Sequence, residues 1–145
     1  MSHARHSRPG FTLLELSLVV AIVGMVTVAG LQGLRRQLDR MAVRGAAGAA
    51  ALLVARARDE AIVRHTVVAL RIDTLTGDLT LAARGVRLAR SALGHEHGVR
   101  LSTTRDSIAF DVRGLGYGAA NTTLIARRGQ AADTLVVSRL GRIRY

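Results

Sequence analysis

The sequence predicts an α+β fold, with a long N-terminal membrane-spanning helix packed on a small antiparallel β domain of two small sheets. Three observations predict it. Leu16 to Leu34 is a run of 19 residues without a charge, and Glu15 is the only charge between Phe11 and Leu34. At a rise of ~1.5 Å per residue, that run spans roughly the ~30 Å hydrocarbon core of a bilayer. Helical spacing of apolar residues then continues to about Arg64, and beyond His65 the pattern becomes alternating with frequent turn residues.

Residues 1–10 precede the apolar run and carry Arg5 and Arg8. Residues 11–34 are the membrane-spanning half of the helix, apolar on all sides. Residues 35–65 are its amphipathic half. From the end of the first half onward, Leu31, Leu34, Leu38, Met41, Gly45, Gly48, Leu52, Ala55 and Ile62 fall at steps of three, four or seven. They mark one helix face, expected to lean on the C-terminal domain. Gly45 to Ala51 is a stretch of small residues, which permits close approach of another backbone. Residues 66–145 are the β-rich domain, joined to the helix near residue 65 without a linker. Strands are expected at 66–72, 79–83, 84–90, 99–102, 107–112, 122–126, 134–138 and 143–145. Asp73–Asp78 is a turn, Ser91–Gly98 a polar loop and Arg113–Gly118 a glycine-rich loop. Alternating strands at this spacing suggest two small sheets on the helix.

Composition narrows the function classes. The chain of 145 residues has room for one modest domain beyond the membrane helix. It has no cysteine, so it holds no disulfide framework and no thiol chemistry. Phe11, Phe110, Tyr117 and Tyr145 are its only aromatic residues, so Val, Leu, Ile and Ala must build the core. All 21 basic residues are arginine and the net charge is +11. Such a charge attracts nucleic acid, anionic lipid heads or acidic partner surfaces without choosing among them.

Two features need a specific reason. A charge in lipid costs about 2.5 kcal/mol or more, so Glu15 needs a partner. Arg35, Arg36, Arg40 and Arg44 follow the apolar run, against the usual cytoplasmic bias of positive residues, whereas Arg5 and Arg8 favour a cytoplasmic N-terminus.

The string Arg8-Pro9-Gly10-Phe11-Thr12-Leu13-Leu14-Glu15-Leu16, set before this apolar run, resembles the processing motif of type IV prepilins and type II secretion pseudoprepilins. The resemblance implies cleavage between Gly10 and Phe11 by a prepilin peptidase, and N-methylation of Phe11. It makes Glu15 the assembly carboxylate, paired with the amino terminus of a neighbouring subunit. Two opposite charges in a low-dielectric bundle are tolerable together and expensive apart. The implied location is the inner membrane, single-pass, with the N-terminus cytoplasmic and the C-terminal domain exported. Cleavage would lower the net charge to +9, because Arg5 and Arg8 leave with the leader, residues 1–10. An ordinary secretory signal peptide cut after Thr27-Val28-Ala29 is the competing reading, and it leaves Glu15 unexplained.

Three further segments resemble the GspH/FimT group of minor pilins and pseudopilins: Ala57-Arg58-Asp59-Glu60-Ala61, Phe110-Asp111 with Gly114, and Val136 to Arg144. The absence of Pro from the helix disfavours a major pilin. The main functional expectation is an H-type minor pseudopilin, a structural subunit of a type II secretion pseudopilus. The alternative is a FimT/FimU-type minor type IV pilin that binds DNA for uptake. Its Gly141-Arg142-Ile143-Arg144 ending places Arg142 and Arg144 on one side of an extended segment, where they can grip phosphates together. Arg139 and the pair Arg127-Arg128 would widen that patch. The competing reading of these arginines is the solvated face of a last strand. Expected partners are therefore the peptidase, other pilins or pseudopilins, the inner membrane and, on the alternative, DNA.

No catalytic residues, cofactor or metal are expected. His95-Glu96-His97 lacks further ligands nearby and reads as a solvated loop. Gly114, Gly116 and Gly118 alternate without the strand–helix context of a nucleotide-binding motif.

Overall fold

The computed structural model describes residues 12–117 and 121–145. Two compact units divide between Arg35 and Arg36. One helix, α1 (Leu13–Val63), runs through the division.

In the first unit the described residues are helical from Leu13 and exposed throughout. Thr12 caps the helix, its Oγ1 accepting from the Glu15 amide at 3.2 Å. Ser17 and Thr27 donate their hydroxyls to the carbonyls of Leu14 and Val23, each at 2.8 Å. Their polarity is satisfied within the helix, so neither interrupts the run as a membrane segment.

The second unit is the remainder of α1 with two antiparallel sheets. Strands β1 (Val68–Asp73), β2 (Asp78–Ala83), β3 (Val86–Ser91), β5 (Ser107–Phe110) and β6 (Gly116–Tyr117) form one sheet in the order β3-β2-β1-β5-β6. Strands β4 (Arg100–Thr103), β7 (Thr122–Arg128), β8 (Ala131–Val137) and β9 (Ile143–Arg144) form the other, in the order β4-β7-β8-β9. Alternation sets the inward rows: Val68, Leu70 and Ile72 on β1, Leu79 and Leu81 on β2, Leu124 and Ala126 on β7. Phe110 lies among the core residues with no exposed surface.

The helix face that meets the sheets is not the expected one. Val43, Ala46, Ala50, Leu53, Val54, Ala57 and Ala61 are buried, whereas Leu38, Met41, Leu52 and Ile62 are exposed, Leu52 at 71%. Both faces are apolar. The alanine face wins because short side chains let two sheets approach the helix backbone, which a row of Leu and Met would hold off. Of the expected face, Leu38, Met41, Gly48 and Leu52 form instead an outward apolar ridge, while Gly45 lies against His97 and Ile62 against Gly114.

Local geometry corrects three smaller expectations. Arg84 belongs to a turn, not to a strand: Arg84 (φ 49°) and Gly85 (φ 79°) form a two-residue hairpin loop with both residues left-handed. Ser91–Gly98 is not all loop but contains a short helix, α2 (Leu93–His97), anchored by the fully buried Leu93. A Cβ on Gly77 would lie 2.5 Å from the Gly94 Cα, so only a glycine pair lets the β1–β2 turn meet α2. In the glycine-rich loop, Gly116 and Tyr117 pair with β5 as an edge strand, while Gly118 lies outside the described residues. The end of α1 is a Schellman cap, with the His65 amide on the Ile62 carbonyl and the Thr66 amide on the Ala61 carbonyl, both at 3.3 Å. His65 takes the left-handed position (φ 48°) that glycine usually holds.

Candidate functional site

The residues singled out in the sequence fall into separate places. Gly10 and Phe11 lie outside the described residues. Glu15 is the third residue of α1, exposed, and acidic in the first turn, where the helix dipole favours a negative charge.

The segments Ala57–Ala61, Phe110–Gly114 and Val136–Arg144 come together at the C-terminal end of α1. Ala57 and Ala61 face the core with no exposed surface. Arg58 turns the other way and lies beneath two left-handed glycines. A Cβ on Gly114 (φ 74°) would come within 3.0 Å of Arg58 Cγ and 2.8 Å of Ile62 Cδ1. One on Gly141 (φ 71°) would lie 3.4 Å from Arg58 Cδ and 3.3 Å from Phe110 Cε1. These words of the sequence therefore form one packed joint. Glu60 sits between Arg56 at 3.7 Å and Arg64 at 2.5 Å. The hydrogen bond from Arg64, with the charges of both arginines, holds its carboxyl below the ordinary value of 4.5.

Asp111 organises the loop of this joint. Its Oδ1 accepts from the amides of Leu115 and Arg113, each at 2.9 Å, and its Oδ2 lies 3.0 Å from Arg113 Nη2. The Leu115 amide is the main cause that lowers its pKa below 3.8, with Arg113 adding to it. A depressed carboxylate stabilises the fold fully above its unfolded pKa and loses that contribution as pH falls through the folded one. Asp111→Asn is thus expected to lower the melting temperature at pH 7. The gap to wild type should close as pH drops below 3.8, and a gap that does not change with pH would refute a charge-based role.

The C-terminal tail is an edge hairpin. The Gly141 amide bonds the Ser138 carbonyl at 2.9 Å, and the Ser138 amide bonds the Arg142 carbonyl at 2.9 Å, leaving Arg139, Leu140 and the left-handed Gly141 as the loop. The Gly116 amide bonds the Arg139 carbonyl at 2.8 Å, tying the loop to the other sheet. β9 pairs with β8, Arg144 opposite Val136. Arg142 and Arg144 are both exposed, and Ile143 between them packs against the core. Arg139, Arg142 and Arg144 make no ion pair among the described residues. An exposed arginine pair on either side of Ile143 can take two phosphates, or one phosphate with two donors.

Arg127 and Arg128 do not join that patch. Arg128 Nε is 3.0 Å from Asp39 Oδ1, and Arg128 Nη1 donates to the His97 carbonyl at 2.8 Å. Asp39 and Arg58 are 19 residues apart on α1, about 28 Å of helix rise. The domain therefore has two basic ends. The staple at Asp39 has no signal in the sequence, since an isolated Asp among arginines names no partner. Glu96 of the His95-Glu96-His97 segment accepts from Ser91 Oγ at 3.2 Å and from the Ala92 amide at 3.3 Å, so it closes α2 on itself.

No protein-family model matches the chain. A pilin-like protein, PilA1, of Thermus thermophilus is 33% identical over 155 aligned positions, covering 95% of this chain and 98% of that protein. The structure of the type IV minor pilin FimU of Pseudomonas aeruginosa superposes with a TM-score of 0.62 at 16% identity, over 73% of this chain and 89% of that one. The minor pseudopilin EpsH of the type 2 secretion system of Vibrio cholerae superposes with a TM-score of 0.56 at 17% identity, over 70% and 94%. At these identities the two structures speak for the fold: a long N-terminal helix against small antiparallel sheets.

Proposed function

The chain belongs to the pilin-like proteins, and on that premise we propose that it is a minor subunit of a type IV pilus, cut after Gly10, methylated on Phe11 and recruited into the filament through Glu15. The observation that carries the reading is the apolar half of α1, which is long enough to span a bilayer and is exposed throughout among the described residues. It needs lipid before assembly and sister helices after it. The exposed Leu38, Met41, Gly48 and Leu52 of the second unit offer such neighbours a further apolar surface. The subunit has no catalytic role, and its partners are the prepilin peptidase, the inner membrane and other pilins.

The pilin-like relative fits either filament, and the pilus is preferred to the secretion pseudopilus on the C-terminal tail. The exposed Arg142 and Arg144 add a surface suited to DNA. The second reading, an H-type subunit of a type II secretion pseudopilus, rests on the segments Ala57–Ala61 and Val136–Arg144, which fit that group equally well as words.

Deletion of the gene in its native host separates the two. The pilus reading expects loss of surface pili or of natural transformation, with secretion intact. Loss of secretion with normal pili would assign the subunit to the pseudopilus instead. In the same strain, a copy with Arg142→Gln and Arg144→Gln should restore filaments but not DNA uptake. Those exposed substitutions should change stability by no more than about 0.5 kcal/mol.

A further inference from the structure

The arginines that follow the apolar run have no place in the functions described so far. On the exported side of the anchor, the cytoplasmic bias of positive residues gives no reason for them. In the second unit they are joined by others. Arg40 and Arg44 line a groove of about 370 Å³ together with Gln130 and Asp133 of the β7–β8 hairpin. That hairpin is held to the helix by Arg128 on Asp39. Next to Arg128, Arg127 stands directly opposite Arg100 in the β7–β4 pairing. Like charges opposite one another weaken a sheet, and an anion between them removes the penalty. Arg36, Arg40, Arg44, Arg100 and Arg127 are exposed and form no ion pair among the described residues. The carboxylates facing this end are Asp39, already engaged by Arg128, and Asp133.

We infer that this end of the domain, built from Arg36, Arg40 and Arg44 of the helix and Arg100 and Arg127 of the sheet, docks on the anionic phospholipid headgroups of the exported leaflet while the subunit waits in the membrane. The inference rests on the membrane anchoring proposed above. The occupant follows from place and charge. The charge-free run ends at Leu34, so Arg36, Arg40 and Arg44 come two, six and ten residues later. So short a tether to the charge-free run keeps them near the headgroup layer, whose charge acts over about a Debye length. The tail arginines lie at the other end of the second unit, beside Arg58, and take no part in this docking. Docking of this kind stores the subunit against the bilayer, and extraction into a filament must break it.

The chain has no cysteine, so a nitroxide on Gln130→Cys reports on this end alone. Gln130 is exposed on the hairpin. The full chain is reconstituted in nanodiscs of phosphatidylcholine, or of phosphatidylcholine with phosphatidylglycerol, and collision of the label with a soluble nickel chelate is measured. Access should fall severalfold in the anionic nanodiscs and recover in 1 M salt. Each arginine near an anionic surface strengthens docking roughly fivefold, so Arg40→Gln, Arg44→Gln and Arg127→Gln together should shift the docking equilibrium on the order of a hundredfold. Arg142→Gln with Arg144→Gln should leave it unchanged. Carbonate-resistant retention of each variant checks the anchor separately, so a failed anchor is not mistaken for failed docking. Equal access in both lipids would overturn the inference. Shielding that appears only with added pilin subunits, whatever the lipid, would overturn it in favour of a protein interface.

Discussion

Ala50→Leu destabilises the β domain by roughly 1–3 kcal/mol, while Leu52→Ala changes it by no more than about 0.5 kcal/mol. Ala50 has no exposed surface and packs in the core shared by α1 and both sheets, whereas Leu52 is 71% exposed. The added branched side chain cannot enter between helix and sheet without moving one of them. For a domain of this size the first change lowers the melting temperature by roughly 4 °C or more per kcal/mol. A hydrophobic-pattern reading of the helix predicts the reverse, because leucine looks like core and alanine like filler. Thermal unfolding of the two variants decides between them, and a larger loss for Leu52→Ala would mean that the ridge, not the alanine face, meets the sheets. On the proposed function the same Leu52→Ala variant should incorporate poorly into filaments, since the ridge would then meet neighbouring subunits.

Glu15→Leu is expected to abolish incorporation into the filament while leaving membrane insertion intact. The substitution makes the helix more apolar, which favours insertion. On the proposed function it also removes the carboxylate that would balance a neighbour's amino terminus, and an unpaired charge in such a bundle costs several kcal/mol. The structure adds a control. The Glu15 amide, not its carboxylate, bonds Thr12 Oγ1. The cap therefore survives Glu15→Leu, and helix fraying does not explain a defect. Thr12→Val removes the cap and keeps the charge. If Thr12→Val blocks assembly and Glu15→Leu does not, the role given to the carboxylate is wrong. Membrane fractionation and sheared-filament blots read both outcomes.

The candidate joint was legible as words and not as geometry. Ala57–Ala61, Phe110–Gly114 and Val136–Arg144 are separated by tens of residues, and nothing local in them says that Arg58 passes under Gly114 and Gly141. The glycines were visible, but their left-handed conformation follows from the close approach of the helix. In the sequence Arg127 and Arg128 read as a widening of the tail's patch, since charge alone does not place them. The β7–β8 hairpin runs the length of its strands before turning, and so delivers them to the opposite end.

Short-range physics wrote the rest into the sequence. A charge-free run of sufficient length is a membrane helix because lipid offers no partner for the backbone or for charge. Alternation with turn residues is a half-buried strand because side chains alternate in a pleat. Those rules determined one helix, β strands in two sheets and the extended tail with its outward arginines. Where two apolar stripes share a helix, however, periodicity is satisfied by either. The choice between Leu38–Leu52 and Ala46–Ala61 depended on how closely two sheets can approach a backbone. That is a property of the packed whole, and only the tertiary structure decided it.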